Sequence, residues 1–305
     1  MPSPAERYAA ARRPGFGSPE LTRFAAALDF ELDGFQVEAC EALESGRGVL
    51  VAAPTGSGKT VVGEFAVHLA LVALVPRTLV SMITGRSRTI GLTILDISNP
   101  HFTNVVKGAN RVALRHDYTL LLVDTDENQA RERPLIEALA QRVDGLIVSS
   151  RMPDNDAQWL LDLGKPVVLL RRSDVLQIPS VGIDNRLATY MLARHLLNLG
   201  HRHIAYLGFG KARINDERIR GARECLEEAG LTLDVYDAHA PTAHAGEDAC
   251  SRVMLGPRRP QAVICYNDLV AFGFLVSALR AGIRVPEELS VMGHDDIQLS
   301  RLVGG

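Results

Sequence analysis

The sequence predicts an α/β protein made of two doubly wound parallel-sheet units, preceded by a partial strand–loop–helix segment. Three observations carry this. From Arg88 onward, short apolar runs bounded by turn residues alternate with amphipathic stretches of helical length. That alternation continues to about Asp295, long enough for two domains with cores of their own. Upstream, the apolar run 48–52 leads into a glycine-rich loop at 53–58 and then an apolar helix from Lys59.

Composition sets bounds on this reading. The chain has 305 residues, 47% hydrophobic and 23% charged, with a net charge of −3, so any nucleic-acid contact has to come from a local patch. Cys40, Cys225, Cys250 and Cys265 are scattered, form no CxxC pair, and read as reduced, buried thiols of a cytoplasmic protein. Nothing like a cleavable signal opens the chain. The longest apolar run, 65–75, stops at Pro76 and is too short to span a bilayer, so no membrane is expected.

Taken in order, residues 1–20 are rich in Ala, Arg, Pro and Gly and read as a loose tail. Residues 21–76 contain A-P-T-G-S-G-K-T, a phosphate-binding loop with Ala53 at its first glycine position. Gly56 and Gly58 let backbone N–H groups turn inward on a phosphate, Lys59 would reach the terminal phosphates, and Thr60 would hold Mg²⁺. With Phe30, Leu32, Phe35 and Gln36 upstream, the stretch 18–70 resembles the start of a Ski-like DExH-box RNA helicase. There the residue matching Gln36 reads adenine, so the resemblance implies ATP with Mg²⁺ as the ligand. The other helicase motifs do not follow in order. D-T-D-E after the run 120–123 imitates an acidic Walker B end, but reads as a strand and turn of the downstream unit. ATP hydrolysis is therefore not expected.

Residues 77–87 read as a short helix ended by Thr84-Gly85 and a linker. Strands follow at 90–95, 119–123, 145–148, 167–170, 204–207 and 262–265, and helices at 103–115, 133–141, 187–199, 218–229 and 269–281. Residues 88–183, with 297–305, form the first unit and 184–296 the second. His201 and His203 flank a strand start with no third ligand nearby, so they read as structural rather than metal-binding.

The order short helix, T-G-R-S, buried strand, D-x-S-N-P-x-F over 79–102 resembles the hinge and core entry of the LacI/GalR family of bacterial regulators. V-D-G-L-I-V at 143–148, Asp184-Asn185, A-x-x-L-x-x-L-G-H-R-H-I-A-Y-L-G at 193–208, R-I-R-G at 218–221, Y-N-D at 266–268 and M-G-H-D-D at 292–296 extend the resemblance to about Leu302. It implies two subdomains of the periplasmic-binding-protein type I kind, a homodimer, and a sugar-like or nucleobase effector bound between the subdomains. At family positions that touch effector stand His101, Phe102, Arg218, Asn267 and Asp295. Their chemistry suits a polyhydroxyl ligand: a donor fork, a donor–acceptor amide, a carboxylate and a stacking wall. No nucleophile–base set accompanies them, so a binding protein is expected and not an enzyme.

The resemblance also implies hinge contacts to operator DNA, with Met82 at the minor-groove wedge position and Arg86 on phosphate. No helix-turn-helix precedes Leu79 here, so specific operator binding is not expected. The family's returning strand beyond 302 is missing too, which predicts an exposed sheet edge. The competing readings are an ATP-dependent nucleic-acid translocase fragment and an unfolded N-terminal appendage on a ligand-binding core.

Overall fold

The computed structural model describes residues 18–28, 30–45, 60–74, 87–171 and 177–302. Among the described residues three helices come first: α1 (Pro19–Ala25), α2 (Gly34–Glu44) and α3 (Thr60–Leu74). The carboxylate of Glu44, at the end of α2, accepts the amides of Glu20 (3.1 Å) and Leu21 (3.0 Å), satisfying orphan donors at the start of α1. Leu21, Phe24, Cys40 and Phe65 pack as a small core, the two phenylalanine rings meeting edge to face at 5.2 Å. These helices are therefore a packed unit, not the unfolded appendage of the third reading.

The first sheet follows, with β1 (Thr89–Ile94), α4 (Pro100–Arg115), β2 (Thr119–Asp124), α5 (Gln129–Ala140), β3 (Gly145–Val148), a 3₁₀ segment (Asn155–Leu163) and β4 (Val167–Leu169). The second comprises α6 (Asn185–Asn198), β5 (Ile204–Gly208), α7 (Arg213–Glu228), β6 (Asp234–Asp237), α8 (Ala243–Met254), β7 (Ala262–Cys265), α9 (Asp268–Arg280) and β8 (Ser290–Met292). Both sheets are wholly parallel, in the orders β2-β1-β3-β4 and β6-β5-β7-β8. The central strands β3, β5 and β7 are buried along their whole length, as expected where helices cover both faces.

Several boundaries differ from expectation for physical reasons. Helix α5 begins at Gln129, capped by Asn128, one turn before the expected start at Arg133, and carries Pro134 inside it. Helix α7 begins at Arg213, which puts Arg218 in its second turn rather than at its start. Strands β6 and β8 are too short, and β6 too acidic at both ends, to register as apolar runs. Ile297, assigned by sequence to the first unit, donates its amide to Asp268 of the second (2.9 Å).

All four cysteines are buried free thiols, and burial pushes Cys40 up to about 12. His201 shares a 3.0 Å hydrogen bond with Ser290, a structural role. Among the described residues no helix is long and apolar enough to cross a membrane.

Helices α8 and α9 cross so closely that a Cβ on Gly273 would sit 1.7 Å from the carbonyl oxygen of Ala243. The obstacle is backbone, which cannot step aside as a flexible side chain would. Gly273→Ala is therefore expected to cost about 3 kcal/mol, the upper part of the range for overpacking, read as a lowered urea midpoint at unchanged slope.

Candidate functional site

In each sheet the chain leaves the first strand toward one edge and returns on the other side of it. The connections therefore diverge between β1 and β3, and again between β5 and β7. Such a divergence opens a crevice beyond the carboxyl ends of the strands, where ligands of open α/β sheets bind. Polar contacts between residues at these ends join the two crevices into one cleft.

The first wall begins at β1. Asp96 accepts the backbone amide and hydroxyl of Ser98 (2.8 and 2.6 Å), winding the turn on itself. Asn99 then caps α4 by accepting the amide of His101 (3.0 Å), and Pro100 takes the first helical position. His101 and Phe102 emerge together in the first turn, rings edge to face at 5.2 Å. Phe102 is half core, packing against the apolar residues of the first sheet. Beyond β3, the guanidinium of Arg151 forks onto Glu127 (2.8 and 2.7 Å).

On the second wall Arg218 is buried, 5% exposed. Its Nε donates to Asn185 Oδ1 (2.9 Å), its Nη1 to the carbonyl of Tyr266, and its guanidinium lies 4.9 Å over the Tyr266 ring. Asn267 departs from the role expected of it. Its carbonyl oxygen caps α9 through Val270 N–H (2.9 Å) and its amide donates to the carbonyl of Pro241 (2.9 Å), so the side chain braces two elements. Asp268 accepts the amides of His294 (2.7 Å), Asp295 (2.9 Å) and Ile297 (2.9 Å), which fixes the loop carrying Asp295. Burial, with the neighbouring Asp295 charge, pushes the Asp268 carboxyl above its usual range.

Across the cleft, His101 Nδ1 stands 4.0 Å from Asp295 Oδ1. Of the five expected cleft residues, the structure thus draws His101, Phe102 and Asp295 together and sets Arg218 against the Tyr266 step that precedes Asn267. Arg213 of α7 reaches Asp154 (3.2 Å), which also pairs with Arg171 (2.6 Å). Beside these contacts a cavity of about 660 Å³ is bordered by Asp126, Glu127, Gln129, Arg151, Phe209 and Lys211. Arg151, Tyr266, Asp268 and His294 were given no role on sequence grounds. Arg151 was in principle legible, since it follows V-D-G-L-I-V at the carboxyl end of a strand.

The remaining expected residues lie elsewhere. Gly56, Gly58, Lys59, Met82 and Arg86 fall outside the described residues, and Thr60 opens α3. Gln36 is buried in α2, where its Oε1 accepts the Asp33 amide (2.8 Å) and so closes the helix start. Among the described residues no group of three His, Cys, Asp or Glu side chains could hold a metal ion.

The periplasmic binding protein-like domain model matches residues 193–303. The repressor CytR of Escherichia coli is 31% identical over 223 residues, 71% of this chain and 65% of CytR, so the chain spans just under two thirds of that relative. The repressor PurR of Vibrio cholerae is 32% identical over 231 residues, 72% of this chain and 68% of PurR. A periplasmic binding protein/LacI transcriptional regulator from Alkaliphilus metalliredigens, solved with D-xylulofuranose, superposes with a TM-score of 0.61 at 25% identity, covering 68% of this chain and 77% of that one.

The cleft's titration behaviour can be measured directly. Burial, aided by the charges of Arg218 and His101, holds the His294 imidazole well below its usual range. Below about pH 6.5 the unfolded chain takes up a proton that the native imidazole refuses. Stability is therefore intact above that pH and falls beneath it, by up to about 1.4 kcal/mol per pH unit. Urea titrations are expected to show this slope below about pH 6.5 and a level stability above it, and His294→Gln to flatten the slope. His68 and His201, also held low by burial, leave a residual slope.

Proposed function

The chain belongs to the LacI/GalR family of transcriptional regulators, and from that premise we propose that it is the ligand-responsive core of such a regulator, binding a small polyhydroxyl effector between its two sheets. The observation that carries this is the meeting of His101 and Asp295, one from each unit, at the carboxyl ends of parallel strands. A ligand seated there bonds both walls at once and so favours the closed arrangement over any open one. That differential affinity is what lets an effector shift a population of states.

In this reading Asp295 accepts ligand hydroxyls, His101 donates or accepts beside it, and Phe102 supplies the apolar wall. Arg218 offers the Nη2 arm not used on Asn185 and Tyr266. Asn267 positions this set without touching the ligand. The sugar in the Alkaliphilus relative supports a ligand of this size and class. The protein works as a cytoplasmic homodimer, as isologous pairing is the commonest assembly of such chains. It is a binding protein and not an enzyme, and this chain binds operator DNA only weakly. A gel shift showing tight, sequence-dependent binding to family-type palindromes would overturn that last point.

Thermal-shift screening with sugars and nucleobases tests the site. One class is expected to raise the melting midpoint, since a ligand at 100 times its Kd adds about 2.7 kcal/mol of stability. Asp295→Asn and His101→Ala are expected to abolish that shift while leaving the ligand-free midpoint nearly unchanged. A shift that survives both substitutions would place the ligand elsewhere.

A further inference from the structure

The ligand contacts above make no use of Arg151, yet it is the most heavily engaged side chain of the cleft. It belongs to the first unit, with its side chain 13% exposed. Its Nε and Nη2 are locked onto Glu127, and Ser150, just before it, and its own amide are held by Glu132, through hydrogen bonds to the two carboxylate oxygens. Glu127 is itself fixed, with a left-handed backbone (φ 52°) and its amide donated to the carbonyl of Leu95 (2.7 Å). A bidentate pair between two tethered residues aims the remaining Nη1 in one direction.

That direction is the second unit. Nη1 donates to the hydroxyl of Tyr266 (3.0 Å), and the guanidinium lies 5.9 Å over the ring of Phe209. Tyr266 is held just as firmly, 3% exposed, with Arg218 stacked on its face and Phe209 meeting its ring at 5.6 Å. Two firmly held side chains, one from each unit, are thus joined by one charge-assisted hydrogen bond, with a cation–π contact beside it. The Arg213–Asp154 pair (3.2 Å) also crosses the cleft, its arginine side chain 41% exposed and its carboxylate shared with Arg171.

We propose that Arg151 is the positioning residue of the cleft, a latch that holds the second unit over the first through Tyr266 and Phe209. Closure is then set in part by a contact the ligand never makes. Ligand binding tightens an arrangement that the protein already favours. The consequence for affinity rests on the cleft being a ligand site, but the latch itself is a property of the ligand-free chain and is tested there.

The native thiols are buried, so cysteines introduced at exposed Arg131 on α5 and Asp216 on α7 can be spin-labelled selectively in the full chain. Pulsed dipolar spectroscopy then reads the distance between the two units without any ligand. Tyr266→Phe keeps the ring but removes the hydroxyl, and Arg151→Lys keeps the charge but removes the fork. Each is expected to shift the closed-to-open ratio toward open by about tenfold, seen as a longer and broader distance distribution. Far-UV circular dichroism is expected to stay that of the parent. Lys211→Ala, which borders the same cavity without bridging it, is expected to leave the distribution unchanged.

Unchanged distances in Tyr266→Phe would overturn the latch, as would equal lengthening in Lys211→Ala. Should Arg151→Lys fail to fold, Tyr266→Phe decides alone. Failure of the sugar screen leaves this result standing, and failure of the latch leaves the ligand site standing, so the two readings fall separately.

Discussion

Everything described in the cleft depends on one constraint: a parallel sheet exposes its groups to ligand only beyond the carboxyl ends of its strands, where consecutive connections part. Both sheets here have the same strand order, so each has a parting point, one between β1 and β3 and one between β5 and β7. His101 follows β1, Arg151 follows β3, Phe209 follows β5 and Tyr266 follows β7. These strand ends supply the Arg151–Tyr266 and Arg151–Phe209 contacts between the units, and the loop after β8 brings Asp295 to His101. Connections of any length at the amino ends would leave this arrangement unaltered.

The placement of strands was legible because β3 and β7 are continuous apolar runs, and continuous burial needs no partner information to be recognised. Strand β6 was not, because Asp-Val-Tyr-Asp becomes a strand only through its pairing with β5. The site was legible as positions and only partly as roles. His101 and Asp295 could be named as cleft residues, and they meet. Asn267 could equally be named a helix start, and the geometry makes it a cap: an amide carries the same donor and acceptor whether it serves a ligand or the backbone. Only the positions of Val270 and Pro241 decide between the two. Arg151 went unassigned because its importance rests on Glu127 and Tyr266, which lie 24 and 115 residues away in sequence.

The charges of the cleft show why it carries so many arginines. A buried guanidinium has several N–H groups to satisfy, and a buried carboxylate several lone pairs, so each is tolerable only when fully engaged. Glu127 engages Arg151 and Asp268 takes three backbone amides, whereas Arg171 pairs with Asp154, which Arg213 also reaches, and leaves its buried Nε and Nη2 without a partner among the described residues. Arg218 instead uses a neutral amide, a carbonyl and an aromatic face, leaving its charge uncompensated by any carboxylate at hydrogen-bonding distance among the described residues. That uncompensated charge helps keep His294 neutral, and it suits a ligand rich in oxygen acceptors. The same side chain therefore organises the wall and sets its preference.

The helices ahead of the sheets relate to this core more loosely. Val67 of α3 is buried among Ile90, Leu92 and Val112 of the first unit, and Arg111 pairs with Glu64 at 2.9 Å. The ion pair adds little, its arginine being 53% exposed. Burying one valine contributes roughly 1.5–3 kcal/mol, and Arg115 Nη2 adds a hydrogen bond to the carbonyl of Ala27 (3.0 Å) and His116 a ring contact with His68 at 5.9 Å. These contacts orient α3 against α4, while β1 and β3 bury their apolar residues mainly against their own sheet and its helices. The residues that meet in the cleft, from His101 to Asp295, are positioned by the two sheets and not by the helices ahead of them.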